Sequence, residues 1–328
     1  MSPLQQTLKI FIGIPKKGLA LAVLLSLALF PASAFTTELL LGTDVAGTFS
    51  HFAGRAISRV ISQHAEDLEC RALPAQDRIH NLTNLQGGSL DIALVDASRL
   101  YDAVNKKGDF EFLDIRYDNL TLLARVYDRS ILLVARSDAK IDSLDQLKGK
   151  RINAGAARSQ TQQSMEMIWA AKGWNLRDFK KVDALPSSLS QDTMAFCHGS
   201  VQAMLHIGVH PDSTLQQLIS LCNAVLVDMA DADMAKMILG HPGYSLVRIP
   251  AAVYPSVGRV VSTLGTPVVL VASGSLDDET VQAIMTVLDQ KQTILQHAHP
   301  AMESFTVSNA MPDVGIDLHP GAAAYLGK

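Results

Sequence analysis

The sequence is poor in cysteine, in basic charge and in recognisable catalytic motifs. Its three cysteines include no Cys-x-x-Cys pair, which argues against a structural zinc site. Lysine and arginine total 28 against 32 aspartates and glutamates, so there is no basic surplus of the kind that attracts nucleic acid. No Ser/His/Asp or Cys/His arrangement stands in a known catalytic motif. We therefore predict neither an enzyme nor a nucleic-acid-binding protein, and neither a metal site nor a cofactor.

Long apolar runs are missing except near the N-terminus, where residues 18–30 form a run of 13 residues. Three lysines precede this run, and Ala-Ser-Ala at positions 32–34 follows it. Basic, apolar and small residues in this order are typical of a secretory signal peptide. The alternative, an uncleaved membrane anchor, needs an apolar run of roughly 20 residues. We predict that residues 1–34 are a signal peptide and that cleavage follows Ala34.

Cleavage at that point leaves a chain of 294 residues (328 − 34) with a clear acidic balance. The removed segment contains three lysines and no acidic residue, so 25 basic and 32 acidic residues remain, a net charge of −7. A chain of this length is long enough for about two domains, each with its own hydrophobic core.

Export also bears on the three cysteines, because disulfides persist outside the cytoplasm. Cys197 and Cys222 each adjoin an apolar segment and are 25 residues apart, which makes them the candidate disulfide. The alternative is a pair of buried free thiols. Cys70 is expected to be a buried thiol on a strand.

Apolar segments of strand length alternate with segments of helical periodicity along the mature chain. This alternation predicts parallel sheets with helices on both faces, an α/β fold. The predicted strands cover residues 38–43, 68–73, 91–95, 122–126, 131–135, 201–207, 246–249 and 267–272, and the clearest helices cover 48–64 and 277–297.

Two of the apolar segments, 131–135 and 201–207, are interpreted as crossings between two lobes. The second leads into the breaker cluster Gly208-Val209-His210-Pro211. On this interpretation residues 130–209 form lobe II, and residues 35–129 together with 210–328 form lobe I, with each boundary placed to within about ten residues. Ligands of such folds bind in the cleft where strands end and helices begin.

The segment after residue 150 predicts an anion-binding corner. A short buried strand is followed by a polar loop, in which Ser159 and Gln162 match the Ser-x-x-Gln capping box of a helix start. Free backbone N–H groups at such a start attract anions, and Arg158 lies in the same loop.

Several separate motifs resemble those of the TAXI-type solute-binding proteins of TRAP transporters, a branch of the two-lobed periplasmic receptors. They occur in the family's order and together cover nearly all of residues 37–328. The matching stretches are Gly42–Phe49, Gly88–Asp91, Ser143–Ile152, Lys172–Trp174, His210-Pro211, Ile249-Pro250 with Tyr254, and Leu318–Ala322 with Tyr325.

The resemblance implies a periplasmic, monomeric receptor with a type II-like two-lobed fold. Such a receptor closes over a small organic acid, such as glutamate, glutamine or 2-oxoglutarate, and delivers it to a TRAP membrane permease. The positions of the three cysteines also match a subset of the family, which favours the Cys197–Cys222 disulfide.

The stretches expected to line the cleft depart from the family pattern, and they contain two arginines. Arg78 and Arg158 are predicted to face each other across the cleft and to clamp a carboxylate, because arginine binds carboxylates bidentately. The alternative is that they form internal ion pairs with Asp77 and Asp96.

Further candidate ligand contacts follow from the same loops. Thr48 has helix capping as its alternative role, and Ser98 stands where the family has aspartate. The remaining candidates are Thr43, Ser50, Asp96, Ser159, Thr161 and His210. Because the residues expected to line the cleft differ from the family pattern, a periplasmic sensor or scavenger without a dedicated permease is the alternative function.

Overall fold

A computed structural model of the chain describes residues 36–76, 79–186 and 191–328. The predicted signal peptide, residues 1–34, and Arg78 with its neighbour Asp77 lie outside the described residues.

The described residues form ten strands and ten α-helices. The strands are β1 (Thr37–Thr43), β2 (Leu68–Pro74), β3 (Ile92–Asp96), β4 (Leu120–Arg136), β5 (Arg151–Asn153), β6 (Lys181–Asp183), β7 (Ala203–Gly208), β8 (Ala224–Val227), β9 (Ser245–Ile249) and β10 (Val261–Ser273). The helices are α1 (Phe49–His64), α2 (His80–Gln86), α3 (Ala97–Val104), α4 (Gln160–Lys172), α5 (Gln191–Cys197), α6 (Ser213–Leu221), α7 (Ala232–Gly240), α8 (Asp278–Gln290), α9 (Gln292–Gln296) and α10 (Pro320–Leu326).

All ten strands belong to one sheet with the order β2-β1-β3-β10-β4-β7-β5-β6, while β8 pairs with β4 and β9 with β10. The two longest strands, β4 and β10, are antiparallel and paired along most of their lengths. One end of this pair joins β3, and the other end joins β7, β8 and β9. We call the part with β1–β3 the proximal half of the sheet and the part with β5–β9 the distal half.

Each half has a hydrophobic cluster on both of its faces. In the proximal half, Ile57 of α1 and Ile284 of α8 belong to one cluster, and Leu100 of α3 to the other. In the distal half, Ile168 of α4 and Leu215 of α6 belong to opposite clusters. A strand covered on both faces has consecutive apolar residues, as residues 131–135 of β4 and 267–272 of β10 show.

Strand β4 shows how one sequence serves both faces in the distal half. Ile131, Leu133 and Ala135 belong to the cluster around α4, while Leu132 and Val134 belong to the cluster around α6. This alternation follows from the two-residue period of a strand.

The path of the chain differs from the expected crossing at 201–209. β7 pairs with residues 130–135 of β4 and with β5, so it is a buried strand inside the distal half. His210 and Pro211 then lead into α6, and the following strands β8 and β9 also pair within this half. The chain returns to the proximal half along β10. A strand buried on both faces and a strand that crosses between lobes are equally apolar, which is why the sequence pattern did not separate them.

From this pairing we propose revised lobe boundaries. Residues 37–128 and 267–328 would form the proximal lobe, and residues 130–265 the distal lobe. The paired segments at 128–130 and 265–267 would then be the hinge.

The cysteine predictions are confirmed. Cys197 and Cys222 form a disulfide that joins the end of α5 to the residue after α6, with their Cα atoms 4.8 Å apart. Cys70 is a buried free thiol on β2, and burial raises its pKa to about 11. The thiol is therefore neutral and unreactive at physiological pH.

Candidate functional site

Arg129 lies at the centre of β4, where the two halves of the sheet meet. Its Nη2 atom is 2.9 Å from Asp44 Oδ2, and its Nη1 atom is 3.2 Å from Asp96 Oδ2 and 3.4 Å from Gln160 Oε1. Asp44 directly follows β1, Asp96 ends β3, and Gln160 begins α4. One guanidinium group therefore contacts side chains from both halves of the fold.

The Arg129 guanidinium remains charged although it is largely buried. Burial by itself lowers its pKa, but the negative charges of Asp96 and Asp44 raise the pKa above the ordinary value for arginine. The side chains of Arg129 and Asp96 are only 14% and 6% exposed. Removing such charges from water is costly, and the cost is tolerated here because each charge has an oppositely charged partner.

A cavity of about 450 Å³, which we call the central cavity, opens beside Arg129. Its walls include Asp44, Arg129 and Gln160, together with the first turns of α1, α4 and α6. Backbone N–H groups at helix starts have no partner within the helix and carry partial positive charge. The central cavity therefore combines a guanidinium with the positive ends of three helices.

Two smaller cavities adjoin the central cavity. The first, which we call the small cavity, has a volume of about 20 Å³ and shares Asp44 and Arg129 with the central cavity. The second, which we call the outer cavity, has a volume of about 230 Å³ and shares Gln160 with it. All three meet at the group formed by Arg129 and its partners.

Side chains around the outer cavity connect the proximal and distal halves. His241 Nε2 lies 3.1 Å from Asp102 Oδ1, and Gln163 Nε2 donates to Asp109 Oδ1 at 3.0 Å. A Cβ atom on Gly243 would lie 2.4 Å from the Cα atom of Ser98, so only glycine allows the close approach of these two segments. The two halves are thus in direct contact around the outer cavity.

The model of the NMT1-like family matches residues 41–327 of the chain. The chain belongs to the NMT1-like family. The match spans all three cavities and both halves of the sheet.

Solved structures share the fold of this NMT1-like chain at low sequence identity. The TctC solute-binding protein from Polaromonas, without ligand, has a TM-score of 0.53 at 14% identity, and the match covers 80% of this chain and 86% of the TctC chain. MatC from Rhodopseudomonas palustris with bound malate has a TM-score of 0.51 at 11% identity, covering 83% and 90%. A probable amino-acid ABC transporter extracellular-binding protein from Bacillus subtilis has a TM-score of 0.50 at 11% identity, covering 80% and 96%. The likeness confirms the predicted two-lobed α/β fold.

Several predicted site residues do lie at the cavities. Asp96 contacts Arg129 and lines the small cavity. Ser50 also lines the small cavity, and its Oγ accepts a hydrogen bond from the Asp44 amide at 3.1 Å. Thr161 is buried and lines the central cavity. Ser98 lines the outer cavity, and its amide donates to Thr266 Oγ1 at 3.1 Å.

Other predicted residues have structural roles that their positions explain. Thr48 and Ser159 are the N-caps of α1 and α4 and accept hydrogen bonds from the amides three residues later. Thr48 also lines the central cavity. Thr43 is fully buried, and its hydroxyl lies 3.1 Å from the Leu73 carbonyl and 2.8 Å from His51 Nδ1. Among the described residues, it is not part of the lining of the central, small or outer cavity.

The predicted capping box is only half formed. Ser159 Oγ accepts from the Gln162 amide at 3.1 Å, but Gln162 Oε1 accepts from the amide of Arg158 rather than from that of Ser159. Arg158 is exposed, has a φ of +62°, and lines none of the three cavities within the described ranges. The structure therefore does not bring Arg158 to the site.

His210 lies beside the proposed hinge, because it lines the same cavity as Asp128 and Ser130. Its Nδ1 atom is 2.6 Å from the hydroxyl of Tyr254, which also accepts a hydrogen bond from the Asp212 amide at 2.9 Å. Burial, together with nearby His206, lowers the pKa of His210 to about 4. The ring lines a separate cavity of about 500 Å³ together with Arg125 and Asp128.

The sequence pattern did not predict Arg129, Asp44 and Gln160, which meet at the centre of the candidate site. One signal for Arg129 was available. Asp128 and Arg129 lie in the middle of a mostly apolar segment of 17 residues, and charges in the middle of a buried strand indicate a specific role.

Within residues 36–76, 79–186 and 191–328, no group of three or more His, Cys, Asp or Glu side chains is arranged to hold a metal ion. Across the same ranges, no helix is long and apolar enough to cross a membrane.

Proposed function

We propose that this protein is a periplasmic solute receptor that captures a small organic acid between its two lobes and delivers it to a TRAP-type membrane permease. The observation that carries the proposal is the position of Arg129. This buried cation lies on a strand shared by both halves, at the wall of a cavity of about 450 Å³, and contacts residues from each half. Binding and delivery require no chemical reaction, so the proposal includes no enzymatic activity.

Arg129 would hold the carboxylate of the solute. A guanidinium presents five N–H donors in a planar fork that matches the geometry of a carboxylate. Asp44, Asp96 and Gln160 engage three of these donors, so the group has capacity for a further carboxylate. The first turns of α1, α4 and α6 add favourable potential for negative charge.

The position of Gln160 suggests how binding would be coupled to closure. A solute on Arg129 would contact residues that the proximal half contributes and also the start of α4 from the distal half. Such a bridging solute stabilises the closed arrangement over the open one, and the population shifts by its differential affinity for the two.

The size of the solute follows from the cavity. A volume of about 450 Å³ fits an acid of about the size of glutamate or 2-oxoglutarate with bound water. The solved structure of MatC, which has the same fold, contains bound malate, a small dicarboxylate. The solute class implied by the TAXI-type resemblance is consistent with both observations.

Isothermal titration calorimetry on the purified protein would test the binding proposal. The panel should contain glutamate, glutamine, 2-oxoglutarate and malate, with a neutral sugar as the comparison solute. We expect saturable binding of at least one acid and a matching rise in melting temperature. Binding of the sugar in preference to every acid would contradict the proposal.

Delivery to a permease needs a separate experiment. Uptake of the bound acid by cells should require both this protein and a TRAP permease, and it should stop when the ion gradient across the membrane is abolished. Uptake that continues after loss of all TRAP permeases would contradict this part of the proposal and leave the binding part intact.

A further inference from the structure

Two buried acceptor atoms near Arg129 have no hydrogen-bond partner among the described residues. Asp96 uses Oδ2 to accept from Arg129 and from Gln160, at 3.2 and 3.1 Å, whereas its Oδ1 atom is buried and unpaired. Asn81 donates from Nδ2 to the carbonyl of Thr43 at 3.0 Å, which leaves its Oδ1 atom as the second buried acceptor without a partner.

Both side chains line the small cavity. Its volume of about 20 Å³ is enough for one group of the size of a water molecule. Asp44 and Arg129 belong to the walls of both the small and the central cavity, so the two are neighbours at the guanidinium. A solute whose carboxylate binds Arg129 therefore has one small polar space directly beside that carboxylate.

We propose that the small cavity is a subsite for a single hydrogen-bond donor of the solute, an amino or hydroxyl group on the carbon next to its carboxylate. This inference rests on the proposed function, because it assumes that the carboxylate binds Arg129. It narrows the solute from small organic acids in general to 2-amino or 2-hydroxy acids, and it selects against 2-oxo acids.

Asp96 Oδ1 and Asn81 Oδ1 are both acceptors, so the subsite would favour solutes that carry a hydrogen-bond donor. A buried acceptor without a donor costs free energy, and a solute that supplies the donor recovers that cost. An amino or hydroxyl group has hydrogen atoms to donate. The oxygen of a 2-oxo acid has none, and it would place a third acceptor against Asp96 Oδ1 and Asn81 Oδ1.

The geometry of Asp96 places this donor next to the carboxylate site. Its Oδ2 atom lies 3.2 Å from Arg129 Nη1, and Oδ1 is bonded to the same carbon atom. A group in contact with Oδ1 is therefore close to any carboxylate held by the guanidinium. A donor farther along the solute chain would lie in the central cavity and would not reach Oδ1.

Titration with acids that share one carbon skeleton tests the inference. The probes are glutamate, 2-hydroxyglutarate, 2-oxoglutarate and glutarate, with aspartate, malate and succinate as a shorter series. We expect at least one of the amino and hydroxy acids to bind about tenfold or more tightly than the oxo and unsubstituted acids of its series, as a hydrogen bond to a charged acceptor requires.

Asp96→Asn should reduce this preference to about threefold or less, because the amide removes the negative charge of the acceptor. Asp228→Asn is the control, since Asp228 is also paired with an arginine, Arg259, at 2.6 Å but is not part of the lining of the central, small or outer cavity. If Asp96→Asn does not fold, Asn81→Ala supplies the same test while preserving the pair of Asp96 with Arg129.

The outcomes separate this inference from the proposed function. Equal affinity for the amino, hydroxy and oxo acids would mean that the small cavity holds only water, and would overturn the inference while leaving the receptor proposal intact. An unchanged preference in both variants would overturn it as well. Absence of binding by every acid would contradict the proposed function itself.

Discussion

Arg129 and Gln160 share a single acceptor, Asp96 Oδ2, at 3.2 and 3.1 Å. Arg129 lies on the strand that joins the two halves, Asp96 belongs to the proximal half, and Gln160 begins α4 of the distal half. Gln160 also accepts from Arg129 with its carbonyl oxygen. This arrangement makes the contact between the halves depend on the same charged group that is proposed to bind the solute.

Replacing Arg129 should affect binding and stability together. We expect Arg129→Gln to weaken the binding of the acid by about 10- to 100-fold, because a charge-assisted hydrogen bond is lost. It should also reduce the free energy of unfolding by about 3 kcal/mol, because Asp96 and Asp44 lose their cation. Calorimetric titration and urea unfolding measure the two effects.

Arg125→Gln is the matched control for this variant. Arg125 lies on the same strand and is paired with Asp128 at 2.7 Å, but it does not line the central cavity formed by the described residues. It should leave the affinity nearly unchanged. Equal losses of affinity in both variants would show that Arg129 has no special role.

Arg158 is expected to be dispensable for binding. The left-handed backbone at this residue, with φ of +62°, costs an arginine energy that glycine avoids. Arg158→Gly should therefore preserve the affinity and raise the free energy of unfolding by up to about 1 kcal/mol, measured by urea unfolding.

Gly155→Ala should have the opposite effect on stability. Gly155 has a φ of +90°, and an added Cβ would lie 2.7 Å from Thr161 Cβ.

For Arg158→Gly, a large loss of affinity would contradict the prediction and would support the carboxylate clamp that the sequence suggested.

The disulfide should stabilise the distal half. Its loop of 25 residues predicts a contribution of about 3 kcal/mol, and Cys197→Ser with Cys222→Ser should lower the free energy of unfolding by that amount. Thermal unfolding with and without dithiothreitol supplies the check. Reductant should lower the melting temperature of the wild type and leave that of the double variant unchanged, and any other pattern would argue against the bond.

His210 should make stability depend on pH in the mildly acidic range. Its pKa is about 4 in the folded protein and about 6.5 in the unfolded chain, so only the unfolded chain takes up a proton between these values. The free energy of unfolding should therefore fall as the pH is lowered from about 6.5 to 4, by on the order of 3 kcal/mol.

His210→Asn should remove most of this pH dependence, because an amide oxygen can accept from Tyr254 without titrating. Urea unfolding at several pH values measures the slope, and His64→Asn, at an exposed position, is the matched control. If His210→Asn and the wild type lose stability in parallel, the titration of His210 is not the cause.

Local features of the fold were predictable because they depend on neighbouring residues. The start of α4 at Ser159 follows from a side chain that can accept the Gln162 amide three residues later. The second half of β10 follows from the apolar run at residues 267–272, and the alternation of strands with helices implied the α/β class. The Cys197–Cys222 disulfide followed from the export signal and from the family's cysteine positions.

The centre of the site was not predictable in the same way. Asp44, Asp96, Arg129 and Gln160 come from four separate segments, and no spacing in the sequence relates them. Arg158 had the expected residue type in the expected loop, but the positive φ of its backbone accompanies an exposed position outside the cavities.

The sequence by itself determined the fold class, because hydrophobic periodicity and helix caps act over a few residues and are written directly in the chain. Only the tertiary structure decided that Arg129, rather than Arg158, lies at the wall of the central cavity. The physical reason is the pairing of β4 with β10, which places the middle of one long strand where β1, β3 and α4 all end or begin. A buried guanidinium is stable only where several such ends supply carboxylates, and that meeting point exists only after the sheet has formed.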